Sequence, residues 1–267
     1  MGIENKSSDW LVEHNKISVF DPDAPVEYSV IGADERTQVD NTLLQPFRWV
    51  CQLIGFSSFS GLARKKAGTA FVIGRRTLLT AGHNLWIGES PAVRFYLYPG
   101  LDGDRAAPAL GSYQLTTAIP HPAYANSRDD RFDAAVLVLN DPLPPHLTNP
   151  SYGMLPWAAV DPTRLTGHRG LITGYPLYQP RTSSTALHDR QYFSTAPLQY
   201  RDGQQFYLAD TPKGQSGSPL LVAMTDANGD MRTTAVGIHV QGGYNVTGNC
   251  SVAIGADLAV FVRQQLY

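Results

Sequence analysis

The chain has 267 residues, 43% hydrophobic and 16% charged, the make-up of a globular protein with room for one large domain or two small ones. A net charge of −2, with no basic stripe and no acidic tail, argues against a nucleic-acid partner. No apolar run approaches the ~18 residues needed to span a bilayer, so no membrane partner is expected.

Residues 1–28 are polar and broken by Asp21-Pro22-Asp23-Ala24-Pro25, and they read as a leader or prosegment. Met1–Trp10 lacks the apolar core of a signal peptide, so secretion is not read from these residues. From Phe47 onward short apolar runs recur between turn residues: Trp49–Phe56, Thr69–Ile73, Val93–Tyr98, Tyr113–Ile119 and Ala134–Leu139. After the Pro-rich stretch 141–150 come Gly170–Tyr175, Tyr192–Leu198, Gln205–Ala209, Pro219–Ala223 and Thr234–Val240. With 24 Gly and 19 Pro, this spacing predicts an all-β sandwich or a pair of barrels. Only Ala256–Leu266, with Leu258, Phe261, Val262 and Leu266 at helical spacing, is predicted as a helix. Cys51 and Cys250 leave open a single disulfide or two buried thiols.

Three stretches carry chemistry. Gly214-Gln215-Ser216-Gly217-Ser218-Pro219 places a hydroxyl nucleophile between glycines. They let the N–H groups of Gly214 and Ser216 aim at one developing oxyanion. Thr80-Ala81-Gly82-His83 ends a strand-like run, which holds an imidazole rigidly at a cleft as a general base. In Phe132-Asp133-Ala134-Ala135, an aspartate opening an apolar strand needs a partner, and a histidine oriented by it supplies one. Asp129 and Asp130, nearby, read as solvated turn residues.

The order His83, Asp133, Ser216 resembles the chymotrypsin superfamily, and subtilisins and α/β-hydrolases use other orders. An α/β-hydrolase esterase would also need a Gly-x-Ser-x-Gly elbow, which Gly214-Gln215-Ser216-Gly217 lacks as a strand-to-helix turn. Within that superfamily the chain is similar to the bacterial glutamyl endopeptidases. The likeness is carried by Ser29–Thr37, Thr80–His83, Phe132–Ala134, Gly174-Tyr175-Pro176, Asp210-Thr211 with Gly214–Pro219, and Gly237-Ile238-His239. It implies an all-β fold of two six-stranded antiparallel β-barrels with a C-terminal α-helix. Residues 29–145 would form the first barrel, with His83 and Asp133, and residues 146–267 the second, with Ser216.

The resemblance further implies a serine endopeptidase that cleaves after Glu and, less well, Asp, made as a zymogen and cut near residues 28–30. Its P1 carboxylate would be held by Thr211, His239 and the new α-amine at Val30 or Ser29, with Lys213 adding positive potential. A hydroxyl, an imidazole able to become cationic and an ammonium are all donors to a carboxylate. Val240, Gln241 and Gly242 would pair with the substrate as an edge strand.

Three departures bear on this. Asp210 stands six residues before Ser216, where trypsin-like enzymes keep the acid that selects Arg or Lys, so a basic preference is the rival reading. Gln215 replaces the Asp that receives the freed amine in trypsin-like zymogens, so activation must use the N-terminus differently. Asn84 stands where those enzymes carry a cysteine after the histidine. A third class of answer is an inactive homologue that binds a partner, although no triad member is missing. The expected partners are a peptide or protein substrate and an activating protease, with the enzyme itself a monomer. The resemblance implies secretion, while the absence of a visible signal peptide leaves the cytoplasm or a non-classical export route open. The chemistry calls for no metal and no organic cofactor, and the seven histidines show no metal-ligand spacing.

Overall fold

A computed structural model describes residues 34–59, 62–115, 117–148, 154–177, 189–201, 203–226, 228–241 and 248–266. The expected leader over 1–28, and Ser29, Val30 and Gly242, lie outside these residues.

The chain is built mostly of strands. They are β1 (Thr37–Gln38), β2 (Val50–Phe59), β3 (Leu62–Val72), β4 (Thr77–Thr80), β5 (Trp86–Ile87), β6 (Ser90–Pro91), β7 (Arg94–Pro99), β8 (Tyr113–Leu115), β9 (Thr117–Pro120) and β10 (Ala135–Val138). The second half carries β11 (Arg169–Gly174), β12 (Tyr192–Pro197), β13 (Gln199–Arg201), β14 (Gln204–Tyr207), β15 (Pro219–Thr225), β16 (Met231–Gln241) and β17 (Asn249–Ala253). Short helices α1 (Pro122–Ser127) and α2 (Pro145–Thr148) are joined by α3 (Ala256–Gln264) at the C-terminal end.

Among the described residues the strands form a seven-stranded sheet in the order β8-β7-β2-β3-β4-β10-β9 and an eight-stranded sheet in the order β1-β12-β11-β15-β16-β17-β14-β13. The larger ladders in both are antiparallel. Each sheet curls into a barrel-like form, one nearly closed and the other a half-barrel, giving the expected pair of barrels and C-terminal helix. The strand counts exceed six apiece because two- and three-residue edge strands such as β1 and β13 join the ladders. Pieces that short carry no readable alternation. β1 pairs with β12, so the start of the described chain belongs to the second sheet and not to the first barrel, where residues 29–145 had been placed.

The reason strands form is legible in β10, whose Ala135, Val136, Leu137 and Val138 are all buried. Both its faces are covered and both its edges are paired, by β4 and β9. The helix α3 turns Leu258, Phe261 and Val262 inward, an i, i+3, i+4 stripe. These side chains join one core cluster with Phe71, Leu78 and Leu137 of the first sheet and Leu221, Ile238 and Val252 of the second. A smaller cluster around Ile172, Leu220 and Val236 fills the second sheet's other face. Cys51 and Cys250 are both buried and form no disulfide, and burial pushes the Cys51 thiol pKa far up.

Candidate active site

The antiparallel register of β4 and β10 sets Thr80 opposite Ala135. His83, three residues beyond that pair, and Asp133, two residues before it, therefore emerge at the same end of the two strands. His83 sits in a 3-10 turn, Gly82–Leu85, and Asp133 closes another, Asp130–Phe132. The contact between them is double: His83 N–H donates to Asp133 Oδ1 at 2.7 Å, and His83 Nδ1 lies 2.6 Å from Asp133 Oδ2. Both carboxylate oxygens are thereby engaged, and Asp133 is only 4% exposed. The His83 ring remains partly open to solvent. Asp129 pairs with Arg131 and Asp130 is exposed, as expected of turn residues.

Ser216 stands three residues before β15, and its carbonyl is held from the first half of the chain. Thr69 N–H of β3 donates to the Ser216 carbonyl at 2.9 Å, and Asn84 Nδ2 donates to the same oxygen at 2.8 Å. The Thr69 hydroxyl donates to Gly214 O at 2.9 Å and accepts from Tyr175 N–H at 3.0 Å. The loop turns sharply at Gly214, φ 96°, and Gly217, φ 90°. A Cβ at Gly214 would lie 2.6 Å from Tyr175 O, and one at Gly217 would lie 2.0 Å from Thr69 O, so only glycine fits either place. Among the described residues neither Gly214 N–H nor Ser216 N–H donates to another group, although neighbouring Gln215, Gly217 and Ser218 all do. Two unengaged amides beside a serine are what an oxyanion requires.

Residues expected at a P1 pocket gather next to this loop. Gly217 N–H donates to His239 O and His239 N–H donates to Ser218 O, fastening β16 to the nucleophile segment. Thr211 is buried, and its Oγ1 has no hydrogen-bond partner among the described residues. Lys213 is exposed, its carbonyl accepting from Leu177 N–H. His239, expected as an imidazole able to become cationic, is 2% exposed. Burial lowers its pKa to about 3, His83 adding to the effect, so the ring is neutral. Its Nδ1 lies 2.6 Å from the Tyr207 hydroxyl.

β16, which holds the Val240 and Gln241 expected to pair with substrate, lies between β15 and β17 in its sheet. Its pairing with β15 stops at Ile238, and a bulge at Val240 precedes the Gln241–Cys250 pair with β17. The side of Val240 and Gln241 facing the nucleophile segment therefore has no strand partner among the described residues. Asp210 is buried, and its Oδ2 accepts Glu35 N–H at 2.7 Å, an engagement of the acid that the rival trypsin-like reading would point at substrate.

Sequence reasoning gives no structural role to three residues here. Thr69 and Asn84 hold the segment at Ser216, and Asn84 reads in the sequence only as the residue in a cysteine's place. Lys66 donates from Nζ to the His83 carbonyl at 2.8 Å. Burial lowers its pKa to about 8, opposed by Asp133 and reinforced by Lys213. The lysine's place on β3, two strands from the histidine in sequence, gave no signal.

The trypsin-like peptidase domain matches residues 68–227, more than half of the chain and the stretch that holds all three groups above. The chain belongs to the trypsin-like peptidase family. It is similar to the extracellular metalloprotease of Bacillus subtilis (strain 168), 28% identical over 222 residues, 82% of this chain and 64% of that protein. It is also similar to the glutamyl endopeptidase of Bacillus licheniformis, 27% identical over 219 residues, 81% of this chain and 62% of that protein. This peptidase thus spans less than two thirds of the length of either curated relative. Among solved structures, a Glu endopeptidase in complex with MPD matches with a TM-score of 0.69 and 26% identity, covering 88% of this chain and 98% of that one. Among the described residues of the peptidase, no three His, Cys, Asp or Glu side chains are grouped to hold a metal ion.

Proposed function

We propose that this trypsin-like serine peptidase is an endopeptidase that cleaves after Glu, and less well after Asp, through an acyl-enzyme. The observation that carries the catalytic assignment is the doubly bonded His83–Asp133 pair beside the two unengaged amides at Ser216. Ser216 Oγ attacks the scissile carbonyl as its proton passes to His83 Nε2. Asp133 holds Nδ1–H and stabilises the imidazolium. Because Asp133 also accepts His83 N–H, ring and backbone are fixed to one carboxylate. Gly214 and Ser216 N–H groups receive the oxyanion, and the imidazolium returns the proton to the leaving amine. Water then repeats the cycle on the ester, releasing the acid and restoring Ser216.

The P1 assignment is supported by the partnerless Thr211 hydroxyl and by neutral His239 next to the nucleophile segment. The Tyr207 hydroxyl lies 2.6 Å from His239 Nδ1 and donates to Cys250 O at 3.3 Å. In the tautomer with hydrogen on Nε2, the neutral ring is a donor suited to a carboxylate. A cut near residues 28–30, by an activating protease, would add an α-amine at Val30 or Ser29, and Val240, Gln241 and Gly242 would receive the substrate backbone along the side of Val240 and Gln241 that has no strand partner among the described residues. The enzyme acts as a monomer outside the cell, in keeping with the extracellular relative.

The test uses paired peptides that differ only at P1, Glu against Arg, before and after trimming to Ser29. Strong preference for Glu after trimming is expected, and Ser216→Ala lowers kcat by about 10³-fold or more. Preference for Arg would overturn the pocket assignment, and a Ser216→Ala protein with full activity would overturn the mechanism.

A further inference from the structure

A buried carboxylate that is left out of catalysis is costly unless something engages it. Asp210 is 4% exposed, and the group on its Oδ2 comes from 175 residues away: the backbone N–H of Glu35, at 2.7 Å. The main chain around Asp210 is fixed as well. Ser194 Oγ donates to Asp210 O at 3.1 Å, and Asn249 Nδ2 donates to Ala209 O.

The segment that brings Glu35 is docked along its length. Thr37 and Gln38 pair with Phe193 and Tyr192, and Val39 N–H donates to Gln191 O at 2.9 Å. The Arg36 guanidinium lies 5.6 Å from the Tyr192 ring centroid, and Val39 is buried. One residue past Asp210 is Thr211, with its partnerless hydroxyl.

We propose that Asp210 is a positioning residue that latches the N-terminal segment Asp34–Val39 beside the P1 pocket and makes the pocket's preference depend on that segment. The proposal rests on the reading of Thr211 as a pocket wall. The latch removes Asp210 from direct contact with a P1 side chain and gives the carboxylate a backbone partner instead. It also confines a chain end created near Val30, five residues upstream of Glu35, to within ~18 Å of the latch. Trypsin-like zymogens use an acid next to the nucleophile for the N-terminus. Here that place holds Gln215, and an acid six residues earlier receives the segment.

The experiment compares trimmed protein with Asp210→Ala, Asp210→Asn, Glu35→Pro and Glu35→Ala, using peptides with Glu or Gln at P1. Amide hydrogen exchange of residues 34–39 is followed in parallel. Asp210→Ala, and Glu35→Pro, which lacks the N–H, are expected to raise KM for the Glu peptide about tenfold while kcat stays within about threefold. Both should speed exchange at 34–39 and leave KM for the Gln peptide unmoved. Asp210→Asn keeps an acceptor oxygen and recovers most of the loss, and Glu35→Ala keeps the N–H and behaves as the parent.

Unchanged exchange and unchanged KM in Glu35→Pro would overturn the latch. Equal losses of kcat on both peptides would also overturn it, showing a purely structural role. If the parent protein prefers Arg, the pocket reading fails, and exchange at 34–39 still reports separately on whether Asp210 holds the segment.

Discussion

At His239 the surroundings decide the charge. With its pKa lowered by burial to about 3, the folded protein keeps this ring neutral where an unfolded chain would protonate it near pH 6.5. Between those values the unfolded state binds the extra proton. The contribution to stability is therefore complete above pH 6.5 and is lost as pH falls toward 3. The loss is on the order of 5 kcal/mol over that window. Urea unfolding followed from pH 7 to 3.5 should show the midpoint falling steeply, and His239→Gln should flatten that dependence. Equal slopes for the two proteins would mean that His239 is not buried neutral. The sequence identified His239 from its motif but could not supply its charge, which burial sets, with His83 adding to the effect.

Strands act here mainly as rulers. The β4–β10 register brings His83 and Asp133 to one end, and β3 reaches across to the other sheet through Thr69. The Thr69 hydroxyl both donates to Gly214 O and accepts from Tyr175 N–H, so a Thr69→Val protein leaves two buried backbone groups unpaired. Its stability should fall by about 2 kcal/mol in denaturant titration. kcat should fall as well, because the Gly214 and Ser216 amides lose their support. Full activity in Thr69→Val would show that the loop glycines hold their shape unaided. The strands themselves were legible as short apolar runs between turn residues. β1 and the bulge at Val240 were not, since two residues have no period and a bulge depends on the neighbouring strand.

At the scale of the whole molecule, the C-terminal helix ties the two sheets into one core. Phe261 joins the cluster shared by both sheets, and its ring meets His121 at 5.0 Å. Phe261→Ala should destabilise the protein by about 3–5 kcal/mol. Because the cluster spans both sheets, fluorescence and circular dichroism should still report one coincident unfolding transition. Two separated transitions would mean that the barrels fold independently and that the helix serves only one of them.

The sequence by itself determined the class of fold, the C-terminal helix, and the identity of His83, Asp133 and Ser216 as candidates. These follow from local signals: alternation, turn residues, glycines around a serine, and an aspartate heading an apolar run. Tertiary structure alone decided that Cys51 and Cys250 stay apart, that His239 is neutral, that Val240 sits on a bulge within the sheet, and that Asp210 holds Glu35. Each of those depends on groups far apart in the chain, and charge, pairing and burial are properties of the assembled neighbourhood.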